Sequence, residues 1–230
     1  MVRAFPICVI RTAELRPQAD RMLIYLFHRR LRDFGLRRNC RSLDNCALSP
    51  NADNIGNSGD NMDITQLILD DHHEQRRLFA IIEQIDPCDS SNLSAIWRRL
   101  ATFLEVHAQT EENLFYPELL RVVRAAGDKD GVEDETLDAI KDHNEIRDAV
   151  AAVAQHQVGT PKWFKAVAAA NKANSDHMAE EEREGLTDFR RQASLQLRHD
   201  LATAFAAYEA THIDGVTPVD KDPKRWVAAH

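Results

Sequence analysis

Two short motifs that contain histidine and glutamate each occur twice in this sequence. The motif Asp-His-x-Glu-x-Arg begins at residue 71 and again at residue 142, and His-x-x-x-Glu-Glu begins at residue 107 and again at residue 177. Imidazole and carboxylate side chains together bind iron, and also zinc, manganese or copper. The repeated motifs therefore supply six candidate metal ligands, which are His72, His107, Glu111, His143, His177 and Glu181.

The spacing within these motifs predicts where the candidate ligands lie in space. A separation of four residues places the histidine and the glutamate of the second motif on one face of a helix. One helical hairpin, with a histidine on its first helix and the His-x-x-x-Glu pair on its second, is thus present twice. Two such hairpins paired about a pseudo-twofold axis would bring four imidazoles and two carboxylates together. Packing them without a metal would be costly, because buried charge needs a partner. The repeat therefore predicts a dinuclear metal site.

The composition of this ligand set indicates a site that can take up a further ligand. Two bridging carboxylates and four histidines shared between two ions leave each ion coordinatively unsaturated, and open positions favour an exchangeable ligand over a purely structural role. The di-iron sites of ferritin-like bundles use a Glu-x-x-His motif, which is absent at these positions. The histidine-rich set therefore points away from a ferroxidase.

The elements that carry the motifs are predicted to be helices, because apolar residues recur at helical spacing and no segment has the period of two that is typical of a strand. Start and stop signals bound five helices, at about 63–86, 94–126, 133–157, 160–189 and 195–208. Each of the first four carries one motif. The short connections predict an all-α fold, an antiparallel up-down four-helix bundle with a fifth, C-terminal helix.

Local signals refine these boundaries. Asp63 and Gln66 resemble a capping box, and Thr160, directly before a proline, predicts a helix start. Gly127 predicts a helix end. Pro117 lies inside the second helix, where it removes one backbone hydrogen bond and should kink the helix.

Charge and cysteine content divide the chain into unlike parts. Residues 1–61 contain ten Arg, no Lys and six acidic residues, a net charge of +4, whereas the whole chain carries −8. We interpret residues 1–61 as a disordered basic extension, and one hypothesis is that the native product begins at Met62. Residues 62–190 would form the bundle, and residues 191–230 a C-terminal helix and an extended tail. The acidic balance excludes nucleic acid as the default partner, and no apolar run is long enough to span a membrane.

As a set, the motifs resemble those of the hemerythrin-like, HHE cation-binding family over roughly residues 62–190, and the C-terminal tail resembles that of bacterial, stand-alone members. The resemblance extends to Phe-Tyr-Pro at 115–117. It implies a four-helix bundle that holds two iron ions, a non-heme di-iron centre with an oxo or hydroxo bridge, in which Glu111 and Glu181 bridge the irons. A cytoplasmic location is expected for such a protein.

One departure from the oxygen-carrying members of that family affects the expected function. Those proteins have a second histidine one turn after the third-helix histidine and an aspartate in the last motif, whereas this chain has Arg147 and Glu181. A fifth histidine ligand is missing, so we do not expect reversible oxygen carriage. Arg147 and its counterpart Arg76 could pair with Glu112 or Glu182, attract an anionic ligand, or lie in ordinary surface ion pairs.

Further residues near the motifs could support the site. The aspartates that directly precede candidate ligands could accept hydrogen bonds from histidines on neighbouring helices, or could simply face solvent; they are Asp71, Asp142 and Asp176. Tyr116 follows Glu111 by five residues, which places it on the flank of that helix. It could donate a hydrogen bond, ligate the metal or only pack.

Two classes of function follow from these observations. The first is a protein that binds a small diatomic or peroxide ligand, O2, NO or peroxide, in defence against oxidative stress, or that serves as an iron or oxygen sensor or an iron store. The second is a di-iron oxidoreductase that consumes peroxide in the manner of a catalase. One bundle supports both, and the sequence leaves open both this choice and the oligomeric state.

Overall fold

The computed structural model describes residues 62–230. Most of its helices begin directly after a residue whose side chain caps the helix. These side chains accept a hydrogen bond from a backbone N–H in the first turn, and they are those of Asp63, Asp89, Asp128, Thr160, Ser194 and Asp222. The predicted basic extension, residues 1–61, and the hypothesis about Met62 as the start lie outside the described residues.

All regular secondary structure in residues 62–230 is helical. The elements in chain order are α1 Ile64–Gln84, α2 Ser90–Thr110, a π-helical turn Glu111–Phe115, α3 Tyr116–Ala126, α4 Lys129–Val153, α5 Pro161–Arg183, α6 Gly185–Gln192, α7 Leu195–Thr211 and α8 Pro223–Ala229. The all-α prediction is therefore confirmed for these residues. None of these helices is long and apolar enough to cross a membrane.

Several predicted boundaries are confirmed and others are wrong. Gly127 ends α3 with a φ of 106°, a backbone conformation that glycine adopts without strain. Gln66 does not complete a capping box, because its amide donates to Asp70 instead. The third predicted helix begins at Lys129, four residues before its predicted start at about residue 133, because Asp128 caps it. The fourth does not run to Phe189; it breaks at Glu184, and α6 follows.

The C-terminal tail is also more ordered than the sequence predicts. We expected residues 214–230 to be extended, but α8 occupies Pro223–Ala229. Asp222 caps this helix by accepting from the backbone N–H of Arg225 at 2.9 Å, and Pro223 suits the first helical turn because it has no N–H to satisfy. Trp226 and Val227 are buried, so packing stabilises a helix that is too short to form alone.

The interruption predicted at Pro117 takes the form of a π-helical turn that ends two residues before it, at Phe115. A proline ring clashes with the carbonyl four residues earlier in an α-helix, and a π turn widens the helix there. The second helix of the prediction is thus divided into α2, the π turn and α3.

Two apolar clusters lie along the four long helical segments, one on each side of a band of buried polar residues. The first cluster includes Ile64, Phe115, Ile140 and Leu186, and the second includes Leu78, Leu100, Val153, Trp163 and Val167. Chain direction between the clusters alternates. The helices α1 and α4 run from the first cluster to the second, whereas α2 and α5 lie in the second and lead to the first through the π turn with α3 and through α6. The candidate ligands lie in the band between the clusters.

Candidate metal centre

The structure brings the six candidate ligands together. Ligand atoms of His72, His107 and Glu111 lie within 4.8 Å of one another, as do those of Glu111, His143 and His177. Glu111 thus belongs to both groups, with its two oxygens 2.9 Å from Nε2 of His107 and 3.3 Å from Nε2 of His143. Glu181 joins them, since its Oε2 lies 3.3 Å from Nε2 of His72.

The polar atoms at the middle of this cluster lack hydrogen-bond partners. They are all buried, and they include Nε2 of His72, both ring nitrogens of His107 and both carboxylate oxygens of Glu111 and of Glu181. Buried polar atoms are nearly always hydrogen-bonded, because an unmade bond costs roughly 1–3 kcal/mol. Several nitrogen and oxygen atoms that converge without hydrogen bonds are what a cation requires. The donor set therefore fits a transition metal, for which imidazole and carboxylate are suitable ligands.

Each of the four histidines turns its other ring nitrogen towards a carboxylate. Nδ1 of His72 lies 2.9 Å from Oε1 of Glu182, and Nδ1 of His143 lies 2.9 Å from Oε1 of Glu112. A carboxylate only accepts, so each Nδ1 donates and each Nε2 faces the middle of the cluster, where Nε2 of His143 lies 3.1 Å from Nε2 of His177. Glu112 and Glu182 thus orient ligands from a neighbouring helix, as partners of metal-bound histidines do. Sequence reasoning missed this role, although the repeated Glu-Glu doublet was a signal for it.

The Nδ1 atoms of the other two histidines lie near aspartates. Nδ1 of His107 lies 3.3 Å from Oδ2 of Asp71, and Nδ1 of His177 lies 3.8 Å from Oδ2 of Asp142. These two aspartates thus lie beside histidines of neighbouring helices, and their role as hydrogen-bond acceptors stays a prediction. Asp176 follows the other predicted alternative, because it is exposed and pairs with Lys172.

The two arginines of the repeat pair with the glutamates that orient histidines. Nη2 of Arg147 lies 2.9 Å from Glu112, and Nη2 of Arg76 lies 2.7 Å from Glu182. The two halves of the repeat differ in how deeply they bury this arginine, since the side chain of Arg147 is 6% exposed and that of Arg76 is 38% exposed. Arg147 also contacts Glu105 at 2.9 Å, so its guanidinium is fully engaged.

The segment after the repeat also reaches the site. Lys221 forms an ion pair with Glu112, and its backbone is held by Asn144, the residue that follows His143. Glu209, on α7, lies 3.9 Å from Nδ1 of His107. Glu209 thus stands on the side of His107 away from Glu111. Sequence reasoning missed both residues, since nothing in their local pattern marks them.

The electrostatics of the cluster follow from burial and close pairing. Burial opposes protonation of His107, but Glu111 and Asp71 outweigh it and raise its pKa well above the usual value. Burial likewise opposes ionisation of Glu111, but His107 and His143 hold its pKa well below the usual value. The hydrogen bond from His72, opposed by burial and aided by Arg76, lowers the pKa of Glu182 to about 2.

The π-helical turn changes the direction of Tyr116. Its backbone N–H bonds the carbonyl of Glu111, five residues earlier, so these five residues complete little more than one turn and Tyr116 faces nearly the same side as Glu111. The sequence predicted the flank of the helix instead, because it assumed 3.6 residues per turn. The ring packs 5.7 Å from that of His143, and its buried hydroxyl has no hydrogen-bond partner.

A small cavity of about 40 Å³ opens beside one side of the cluster. Its deeper walls are buried, and they are formed by Tyr116, Leu119, Thr136, His177 and Glu181. Glu135 also lines it, and burial, together with Glu184 and Asp188, raises the pKa of Glu135 to about 8. The cavity therefore connects two of the candidate ligands with the surface.

A comparison with protein families adds to this geometry. The family model described as the Hemerythrin HHE cation binding domain matches residues 63–187. That span is more than half of the chain and contains all six candidate ligands. A search of curated proteins finds no match, and a search of solved structures finds none.

Proposed function

This chain belongs to the hemerythrin HHE cation-binding family, and from that premise we propose that it is a non-heme di-iron protein. Two iron ions would be held by the six residues of the repeat, and a small exchangeable ligand (O2, peroxide or NO) would bind there in defence against oxidative stress. The observation that carries this proposal is the set of buried, unpartnered nitrogen and oxygen atoms at the middle of the cluster.

The proposed scaffold is an antiparallel up-down four-helix bundle made by α1, α2 with α3, α4, and α5. Two observations support this arrangement: the alternating direction of these segments between the two apolar clusters, and the packing of α1 against α2 and of α4 against α5. A bundle of this kind presents inward-facing side chains from all four helices at one level.

The proposed ligands divide into two sets that share the glutamates. His72 and His107 would hold one ion and His143 and His177 the other, with Glu111 and Glu181 bridging them. The position of Glu111 between His107 and His143 supports a bridging role, and the repeat assigns the same role to Glu181. Iron bound in this way supplies Lewis-acid and one-electron redox chemistry.

The surrounding residues prepare the site for a cation. Glu112 and Glu182 accept hydrogen bonds from Nδ1 of His143 and of His72, which directs both Nε2 atoms inward. Arg147 and Arg76 balance the charge of those glutamates. The apolar clusters on both sides exclude bulk water, which strengthens every electrostatic interaction between them.

A second candidate function is peroxide consumption. It is favoured by one observation: the cavity beside the cluster is lined by the unpartnered hydroxyls of Tyr116 and Thr136. Such groups can hold a hydrogen-bonding substrate and exchange protons with it. Oxygen evolution from hydrogen peroxide by the iron-loaded protein, lost in His107→Ala, would distinguish this function from simple binding.

Metal analysis tests the main proposal. We expect about two iron ions per chain after anaerobic reconstitution with ferrous iron, and a large loss of iron in His107→Ala and in His177→Ala, since ligand removal weakens metal binding strongly. His73→Ala is the matched control, because His73 is adjacent to a proposed ligand but exposed. Less than about one iron per two chains in the unaltered protein would contradict the proposal.

A further inference from the structure

The two halves of the internal repeat differ at one face of the site. At the offset of 71 that relates α1 to α4, Ile64 corresponds to Glu135 and Ile68 to Ala139. Ile64 and Ile68 are fully buried in the first apolar cluster, whereas Glu135 and Ala139 line the cavity. Two large apolar side chains in one half are thus replaced by a carboxyl group and a methyl group in the other.

This difference leaves space beside one pair of histidines and fills it beside the other. The cavity reaches His177 and Glu181 but neither His72 nor His107. His107 is instead covered by two aromatic rings, those of Phe103 and Phe205, whose centroids lie 6.1 and 5.8 Å from its own. A small molecule arriving from solvent therefore meets the His143 and His177 side of the cluster.

Arg147 follows His143 by one turn of α4, and its guanidinium is held by Glu105 and Glu112. It therefore cannot turn back towards the cluster as an additional ligand. The position of the cavity therefore indicates where an exogenous ligand binds.

The walls of the cavity carry hydrogen-bonding groups that no protein atom satisfies. They are the hydroxyls of Tyr116 and Thr136, and both side chains are at least nine-tenths buried. A water molecule needs roughly 10–15 Å³ of such space, so a cavity of about 40 Å³ holds a molecule of about two or three non-hydrogen atoms. The unsatisfied hydroxyls show that this molecule should accept hydrogen bonds.

We propose that the cavity is the ligand pocket of the centre and that it selects a small neutral molecule, which binds at the His143 and His177 side. The lining contains six carboxyl groups and no Lys or Arg, and three of the carboxyl groups are exposed at the mouth, those of Asp138, Glu180 and Glu184. Only Glu184 among these three is paired with a cation, Arg183. Anions such as azide are repelled there, whereas nitric oxide and hydrogen peroxide are not.

This inference rests on the proposed function, since it assigns a ligand and a side to the same centre. The test fills the cavity with the residue that the other half of the repeat already uses. Ala139→Ile copies Ile68 into α4, and Ala149→Ile is the matched control, because Ala149 is a half-buried alanine of the same helix that does not line the cavity.

Nitric oxide bound to the ferrous protein is the neutral probe, followed by its optical spectrum, and azide added to the ferric protein is the anionic probe. Iron content is measured first in every variant. We expect Ala139→Ile to retain its iron and to bind nitric oxide at least about tenfold more weakly, while Ala149→Ile binds it as the unaltered protein does. Thr136→Val, which keeps the volume and removes the hydroxyl, should weaken binding severalfold.

The outcomes separate this inference from the proposed function. Full iron content with unchanged nitric oxide affinity in Ala139→Ile and Thr136→Val overturns the pocket assignment and leaves the di-iron proposal standing. Azide binding in the same concentration range as nitric oxide overturns selection for neutral ligands. Failure of the unaltered protein to retain iron refutes the proposed function itself.

Discussion

The side chain of Asn144 holds the backbone of Lys221 at both of its polar groups. Nδ2 of Asn144 donates to the carbonyl oxygen at 2.7 Å, and its Oδ1 accepts from the amide at 3.1 Å. This clamp places the ammonium group of Lys221 on Glu112, which accepts from His143. A residue beyond the family-matched span is therefore connected to a proposed ligand through one carboxylate.

Replacement of Lys221 by methionine should destabilise the metal-free protein by about 1–3 kcal/mol, because the buried Glu112 would lose one of its two cationic partners. Lys224→Met is the control, since Lys224 is exposed on α8. Urea unfolding measures both. Equal stability of the two variants would show that the ion pair contributes nothing.

Loss of the carboxylates that orient histidines should weaken iron binding. We expect about a 10–100-fold loss of affinity in Glu112→Gln and in Glu182→Gln, with the larger loss for Glu112→Gln. Glu112 is buried between two cations, Arg147 and Lys221, which would be left without their partner, whereas Glu182 is partly exposed. Competition with a chelator of known affinity measures both values, and a larger loss in Glu182→Gln would contradict the asymmetry.

The raised pKa of Glu135 makes stability depend on pH. Burial and the neighbouring Glu184 and Asp188 raise its pKa from 4.5 to about 8, so between these values the folded state binds a proton that the unfolded state has lost. Stability then falls as pH rises through this window. Glu135→Gln removes this ionisable group. We expect the substitution to leave the free energy of unfolding unchanged near pH 4 and to increase it by roughly 1–3 kcal/mol at pH 8.

Chemical unfolding across that pH range checks this prediction in the metal-free protein. Glu145→Gln is the control, since Glu145 is exposed on the same helix. A gain in stability from Glu135→Gln that is equal at both ends of the range would contradict the assigned cause.

Gly159 permits a close approach between two loops. Its φ is 80°, and a Cβ there would lie 2.3 Å from the carbonyl oxygen of Pro87. Gly159→Ala should therefore destabilise by more than the roughly 1–3 kcal/mol that a left-handed conformation alone costs. Gly127→Ala separates the two effects, because Gly127 has a φ of 106° with nothing near its missing side chain. Equal losses of unfolding free energy would exclude a clash at Pro87.

Much of the candidate site could be predicted because its information is local and repeated. His107 and Glu111 are four residues apart on one helix, and the second copy of the motif confirms that this spacing is not accidental. The caps at Asp63 and Thr160 could be predicted for the same reason, since a cap depends only on its own side chain and the next few amides.

The missed features depend on contacts between distant parts of the chain. Lys221 and Glu209 reach the site only because α7 and the segment before α8 pack back onto α1, α2 and α4, and no local pattern encodes that packing. The cavity was likewise not predicted, although the residue difference that creates it is present in the sequence. The change from Ile68 to Ala139 is visible only when the two halves are compared position by position beyond their motifs.

The π-helical turn absorbs one residue more than an α-helix would need between Glu111 and Tyr116. Deletion of one residue from 113–115 would let an uninterrupted α-helix form, in which Tyr116 would follow Glu111 by four residues and stay on the same face. The buried residues of α3, including Leu119 and Val123, would then keep their direction. An α-helix formed at the present length would instead turn them by about 100° about the helix axis. This stretch should therefore tolerate the loss of one residue in evolution more readily than the loss of the π turn alone.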